Sequence, residues 1–481
     1  MTIMWYWRSL PLENRTGSEI FSALFHPKTT PGIATLLESP YPTPTNQPQL
    51  SRYSICAGAP RIINGVPQMW TPKLGRILPF LQELLQSRGQ SSNSPPASPA
   101  SPASPAALSP PPTHLPFIGG WLGWLGYDVA WEIEQLPHNK VDSLPFPVAF
   151  WYEPDTFAVL DHTQQILWLA ASNLTELDEL EWRLVNTDTV NSLQYVTPAS
   201  SYPVAPKFFT SQADYETSVN RAKKYIQAGD IFQANLSLRF AATTSADGWL
   251  IYQALHKINP SPFASYWRTP WGEVISCSPE RLVMLQNRQA QTRPIAGTRS
   301  RGITPEQDQQ LAQELLSNTK ERAEHIMLVD LERNDLGRVC EWGTVSVNEL
   351  LTIERYSHVM HLVSNVKGKL RSDRTPIDLI RALFPGGTIT GCPKVRCMEI
   401  IEELEPVRRS LFYGSCGYLD ARGNLDLNIF IRTLLLTPHS PHNTVWGQVG
   451  AGIVADSNPE KEWYESLHKA QAQLAALKIV T

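Results

Sequence analysis

Strand-type patterning recurs in clusters through the second half of this chain, and it limits the available folds more than any single motif does. Residues 231–240, 273–284, 344–347, 425–436 and 444–455 carry strand patterns of apolar and polar side chains. Between them, 214–228, 306–316, 320–336, 376–383, 394–404 and 460–475 carry helical periodicity, the first stopped by Gly229. The helices stand between groups of strands without a regular strand–helix–strand alternation. That order argues against a doubly wound parallel sheet and for an α+β fold with large antiparallel sheets.

The first part of the chain is less regular. Residues 32–38 and 53–57 read as helix or strand fragments, 118–128 alternate glycines with large apolar residues as a core strand, and 157–161 with 165–169 read as a hairpin. Residues 88–113 are dominated by Pro, Ala and Ser, cannot bury apolar area, and predict an extended loop. We therefore divide the chain into an N-terminal region, 1–204, packed into the same unit as a C-terminal region, 205–481, that carries the chemistry.

Charge and cysteine content exclude several classes. Forty-one basic against 45 acidic residues give a net charge of −4, which argues against nucleic-acid binding. No apolar run approaches the ~20 residues of a membrane span, and the first residues lack the charged head and apolar core of a signal peptide. Six cysteines are too sparse for a disulfide framework in 481 residues, so a reduced, cytoplasmic setting is expected.

Two pairs of glutamates, Glu321/Glu324 and Glu462/Glu465, fall at i, i+3 in predicted helices and so project from one face of each. Like charges so placed repel by roughly 0.2–0.5 kcal/mol unless a cation lies between them. Mg²⁺ held by carboxylates and an anionic ligand suits that arrangement. Three small-residue segments accompany them: Pro294-Ile-Ala-Gly-Thr-Arg-Ser-Arg-Gly302, Phe384-Pro-Gly-Gly-Thr-Ile-Thr-Gly-Cys-Pro-Lys394, and Gly450-Ala-Gly452, the last read as a turn. The first two offer backbone N–H groups and hydroxyls to an anion, though neither has P-loop spacing. Arg432 sits in the apolar run 427–436, a costly position unless it meets an anion. Together these describe a site for a small polyanion held partly by Mg²⁺.

Pro294–Thr298, Lys320–Asp335, Tyr356–Ser364, Phe384–Glu402 and Gly450–Lys469, in that order, resemble the chorismate-utilising enzymes, component I of anthranilate synthase and of aminodeoxychorismate synthase. The resemblance is dense over about residues 205–478 and looser before them. It implies one α+β unit whose two large antiparallel sheets form a sandwich with helices outside. It implies that Glu324, Glu465 and Glu462 hold Mg²⁺ and that Glu321 completes the acidic cluster. Gly297, Thr298, Tyr413, Arg432, Gly450, Ala451 and Gly452 would bind chorismate, Arg432 on the enolpyruvyl carboxylate. His361, Glu321, Thr388 and Lys469 would serve the chemistry. A glutamine amidotransferase subunit would supply ammonia, since no glutaminase-type cysteine motif is present.

The product divides the family. Ala296 stands where aminodeoxychorismate synthases often carry a lysine, so a lysine adduct at that position is excluded; Thr388 and Tyr413 also lean towards anthranilate. The longer strings 229–235, 384–398 and 426–433 resemble a subset of aminodeoxychorismate synthases and favour 4-amino-4-deoxychorismate, for para-aminobenzoate and folate, over anthranilate. Glu38 and Ser39 with Pro262 and Phe263 resemble a tryptophan pocket of the family. A catalytically silent tryptophan-binding homologue would have no reason to keep two repelling acidic pairs.

Overall fold

In the computed structural model, residues 5–26, 32–40, 50–89, 112–186, 206–356, 359–440 and 442–480 are described. Most of the expected loop at 88–113, the boundary at 204, and positions 357–358 lie outside them.

Two antiparallel sheets organise the chain, one of twelve strands and one of ten. In the first, Ala34–Glu38 pairs with Phe263–Thr269, which continues through Gly272–Ser278, Thr433–Thr437 and Asn443–Ile453 to Gln233–Thr244. In the second, Ile295–Ser300 and Ser346–Arg355 flank Val359–Lys369, and the sheet runs on through Arg281–Gln286, Leu425–Asn428, Ser415–Asp420 and Gly120–Leu125. Each sheet thus joins a block of strands from the first part of the sequence to a block from the second. Residues 32–38 and 53–57 settle as strands, and Thr156–Asp161 with Ile166–Ala171 form the expected antiparallel pair.

The sheets pack face to face. Trp267 meets Trp124 of the facing sheet edge-on at 5.8 Å, and Phe117 bridges Phe157 and Tyr418 at 5.0 and 5.6 Å. On Phe263–Thr269, Trp267 points into this inter-sheet core while Ala264 and Tyr266 point to the opposite face, the two-residue alternation of a pleated strand. That opposite face is covered by helices Gly17–Phe25, Gln212–Ala228, Gly248–Ile258 and Pro459–Val480. Helices Thr319–Gly337 and Pro376–Leu383 lie against the ten-stranded sheet. Local signals fix the helix ends: Ser211 accepts from Asp214 N at the start of Gln212–Ala228, and Gly229, at φ 83°, ends it.

Three expectations need correction. The run 273–284 is two strands, Gly272–Ser278 in one sheet and Arg281–Gln286 in the other. The run 425–436 is likewise split into Leu425–Asn428 and Thr433–Thr437, and Arg432 stands in the break at φ 53°. Apolar patterning persists through both crossings because each passes through the shared core, so period alone cannot reveal the change of sheet. Gly450–Gly452 is no turn but the interior of Asn443–Ile453, paired with Gln233–Thr244. There a Cβ on Gly450 would fall 2.4 Å from Leu236 O, so close strand approach is what demands glycine.

Candidate active site

The crossings deliver charged groups to the place where the two sheets part. Glu280 follows Pro279 in the first crossing and is 5% exposed. Arg432 is half-buried in the second, and its guanidinium makes no hydrogen bond or ion pair with any described residue. Burial lowers its pKa, while Tyr413 and Glu465 act in the opposite sense. A guanidinium desolvated without a partner is costly, and an incoming anion relieves that cost. Tyr413 and Arg432 both hold left-handed backbone, at φ 65° and 53°, a strain that gathers at binding sites.

Several buried polar atoms around this space are unsatisfied: Glu321 Oε2, Thr388 Oγ1, Tyr413 Oη, Asn235 Oδ1 and Gln233 Oε1. Ser237 Oγ lies close to Tyr413 but is engaged by Glu405 and Gln448, each at 2.7 Å, so Tyr413 Oη completes no hydrogen bond of ordinary geometry. Thr388, in the turn Gly387–Ile389, lies beside Glu280, again without a completed bond. Orphaned groups in such number mark a space meant for a polar ligand.

Gly297 is the extra residue of a bulge in Ile295–Ser300, between Ala296 opposite Leu362 and Thr298 opposite His361. Its φ is +67°, and a Cβ there would fall 2.4 Å from Glu321 Oε2. The bulge turns Thr298 so that its Oγ1 shares a 3.0 Å hydrogen bond with His361 Nδ1. His361 is buried, and burial together with the Arg432 charge lowers its pKa to about 4, against a smaller opposing effect of the Gly297 backbone. The imidazole is therefore neutral at physiological pH. Glu280 moves the other way: burial, helped by Glu332, raises its pKa to about 8, with Thr388 and the Ile295 backbone opposing. It is a protonated carboxyl near neutrality. Sequence reading missed Glu280, because one glutamate after a proline reads as an ordinary strand end.

The glutamate pairs face one another across the cleft. Asn318 caps helix Thr319–Gly337, and Arg299 Nη1 donates to Glu321 Oε1 at 2.7 Å. Burial raises the pKa of Glu324, with Glu321, Glu465 and Glu462 adding to it and Lys320 opposing. Burial also raises Glu462, reinforced by Glu465 and opposed by Ser457, Lys320 and Lys469. Lys469 Nζ lies 2.8 Å from Glu465 and donates to Gly450 O at 3.0 Å; Lys320 lies 4.0 Å from Glu324. Among the described residues no group of three or more His, Cys, Asp or Glu side chains is placed to hold an ion. The structure brings the four carboxylates within electrostatic reach without closing them into one ligand set.

The remaining candidates, Glu38, Ser39, Pro262 and Phe263, line a separate cavity of about 870 Å³ between the sheets. None of the acidic pairs, Arg432, Tyr413 or Gly450–Gly452 borders it. Glu38 is already committed, accepting from Ser18 N, Ser18 Oγ and Tyr252 Oη at 2.6, 2.7 and 2.6 Å. Ser39 Oγ donates to Tyr53 O at 2.8 Å.

Known proteins share this architecture. A chain of Synechocystis sp. described as an anthranilate synthase component I-like protein is 61% identical over 476 residues, covering 98% of this chain and 92% of that one. Aminodeoxychorismate synthase component 1 of Bacillus subtilis is 46% identical over 374 residues, covering 76% and 78%. The crystal structure of anthranilate synthase component I from Streptococcus pneumoniae superposes with a TM-score of 0.72 at 32% identity, covering 88% and 92%. Residues 75–475 match the model of the chorismate binding enzyme family, and the chain belongs to that family of chorismate-utilising enzymes.

Proposed function

We propose that the chain aminates chorismate to 4-amino-4-deoxychorismate, using ammonia delivered by a glutamine amidotransferase subunit. The observation that carries the chemistry is that the two crossings between the sheets supply Arg432, without a partner among the described residues, and a protonated, buried Glu280. Arg432 and Tyr413 receive the enolpyruvyl carboxylate. As ammonia bonds to the ring, the ring hydroxyl must leave. Glu280 gives it a proton, it departs as water, and the proton shed by the new C–N nitrogen restores the carboxyl. Neutral His361, tied to Thr298, orients the substrate and accepts hydrogen bonds rather than acting as an acid.

Mg²⁺ fits the acidic face. Glu321 Oε2 is orphaned, Glu324 and Glu462 repel their neighbours, and all donors are oxygen. Mg²⁺ usually takes one or two carboxylates and completes its shell with water and substrate, so Glu324 and Glu465 would suffice, with Glu462 and Glu321 behind them. Bound there, it would neutralise the ring carboxylate. Lys469 balances the acidic charge from Glu465.

Two comparisons support this product. Identity to the Bacillus aminodeoxychorismate synthase, 46%, exceeds the 40–44% found for anthranilate synthase component 1 chains of several bacteria. Synechocystis also carries a chain described plainly as anthranilate synthase component 1, and this protein is only 43% identical to it against 61% for the other. Anthranilate synthase component I is the second reading, favoured by Ala296 and Thr388. Purified chain incubated with chorismate, Mg²⁺ and ammonium decides between them. Product that yields 4-aminobenzoate after an added lyase supports the proposal; directly formed fluorescent anthranilate overturns it.

A further inference from the structure

We infer that Tyr356 is a positioning residue for His361, and that its own position is fixed by a hydrogen bond to buried Glu354, which Arg293 holds from the other side. The inference rests on the reading of His361 as an active-site residue. The Tyr356 ring stands 5.6 Å from the His361 imidazole, tilted at 59°. Its hydroxyl donates to Glu354 Oε2 at 2.5 Å, while Arg293 Nε donates to the other oxygen of the same carboxylate at 2.7 Å. Glu354 is 1% exposed and sits opposite His361 in the strand pairing, so backbone register and side-chain contact fix the same geometry. A second donor of Arg293 reaches Glu349 at 2.6 Å, which leaves the guanidinium fully committed on this side.

Packing alone does not hold the tyrosine. Tyr356 and His361 share the wall of a void of about 20 Å³ with Pro262 and Pro279. A void of that size admits roughly one water, so packing is incomplete on that side of the ring. The hydroxyl tether to Glu354 supplies the missing restraint. From the other side, Thr298 holds His361 Nδ1 at 3.0 Å. The imidazole is thus clamped between a hydroxyl and a tethered ring, which fixes its aim at substrate; displacement of a reacting group by ~1 Å can cost up to ~10²-fold in rate.

Three variants test this against His361→Ala. Tyr356→Phe keeps the ring and cuts the tether; Glu354→Gln keeps a hydrogen bond to the Tyr356 hydroxyl, the amide now donating; Tyr356→Leu removes the ring. With saturating ammonium and Mg²⁺, Tyr356→Phe is expected to lower kcat by roughly 5- to 50-fold with KM for chorismate within about twofold. Tyr356→Leu should fall further and Glu354→Gln should retain most of kcat. A structural role alone would lower the thermal midpoint and leave kcat per folded molecule unchanged, which overturns the inference. If His361→Ala is inactive and Tyr356→Phe is fully active, the inference fails while the site reading stands. If His361→Ala retains full turnover, both fail.

Discussion

Replacing Glu280 by Gln should make the protein more stable and inactive at once, and the gain should depend on pH. The carboxyl is 5% exposed, and burial raises its pKa from 4.5 to about 8. Between those values the folded chain holds a proton that the unfolded chain releases. Stability is therefore undiminished below about pH 4.5 and is lost as pH rises to about 8. One pKa unit is worth about 1.36 kcal/mol, so keeping Glu280 protonated costs about 4 kcal/mol near pH 7.5 and about 1 kcal/mol near pH 5. Glutamine avoids this cost at both values. Any penalty for its extra N–H is the same at each pH and cancels in the difference. Urea unfolding of wild type and Glu280→Gln at the two pH values should show the variant's advantage growing by about 3 kcal/mol from the lower to the higher. In the same samples kcat should fall by at least about 10²-fold, since an amide cannot deliver the proton. An advantage equal at both pH values, or a fully active variant, would refute the assignment.

Other outcomes follow from the same geometry. Wild-type kcat should decline on the alkaline side with a midpoint near 8, the value for Glu280, while neutral His361 should leave no inflection near 6.5; a pH–rate profile checks both. Arg432→Met should weaken equilibrium binding of chorismate by about 10- to 100-fold, the worth of charge-assisted hydrogen bonds, without lowering the thermal midpoint, because the guanidinium has no partner among the described residues. Glu324→Gln or Glu465→Gln should abolish turnover and weaken Mg²⁺ binding measured by calorimetric titration in the presence of chorismate; unchanged binding would remove the metal assignment. Gly297→Ala should cost roughly 1–2 kcal/mol for the left-handed backbone and displace Glu321 from Arg299, lowering kcat by about tenfold or more, readable by thermal midpoint and turnover together.

The sequence carried the helices well and the sheet crossings badly. Helix Gln212–Ala228 is bracketed by Ser211 and Gly229, local chemistry that needs no tertiary context. Residues 278–281 and 428–433 pass from sheet to sheet through a common core, so their apolar pattern continues where the strand does not. Arg432 was visible as a cation out of place, yet its lack of a partner was not, since pairing is a property of the fold. Glu280 shows the reverse case. Its residue type is ordinary, and only burial, which outweighs the opposing effects of Thr388 and the Ile295 backbone, raises its pKa enough to make it an acid. The glutamate pairs were legible from spacing, and so were Lys320 and Lys469, each four residues from a glutamate of its own helix; the approach of one pair to the other is a property of the fold.

The joining of early and late strands within one sheet has a consequence for biosynthesis. Gly120–Leu125, with Trp121 and Trp124, is flanked by Ala149–Tyr152 and Ser415–Asp420. The second neighbour leaves the ribosome roughly 290 residues later, a wait on the order of 15–60 s at ordinary elongation rates. Throughout that interval a tryptophan-rich edge stays open to solvent. Nascent chains of this protein should therefore lean on holdase chaperones, and synonymous changes that slow the ribosome before residue 415 should lower soluble yield without altering the finished molecule.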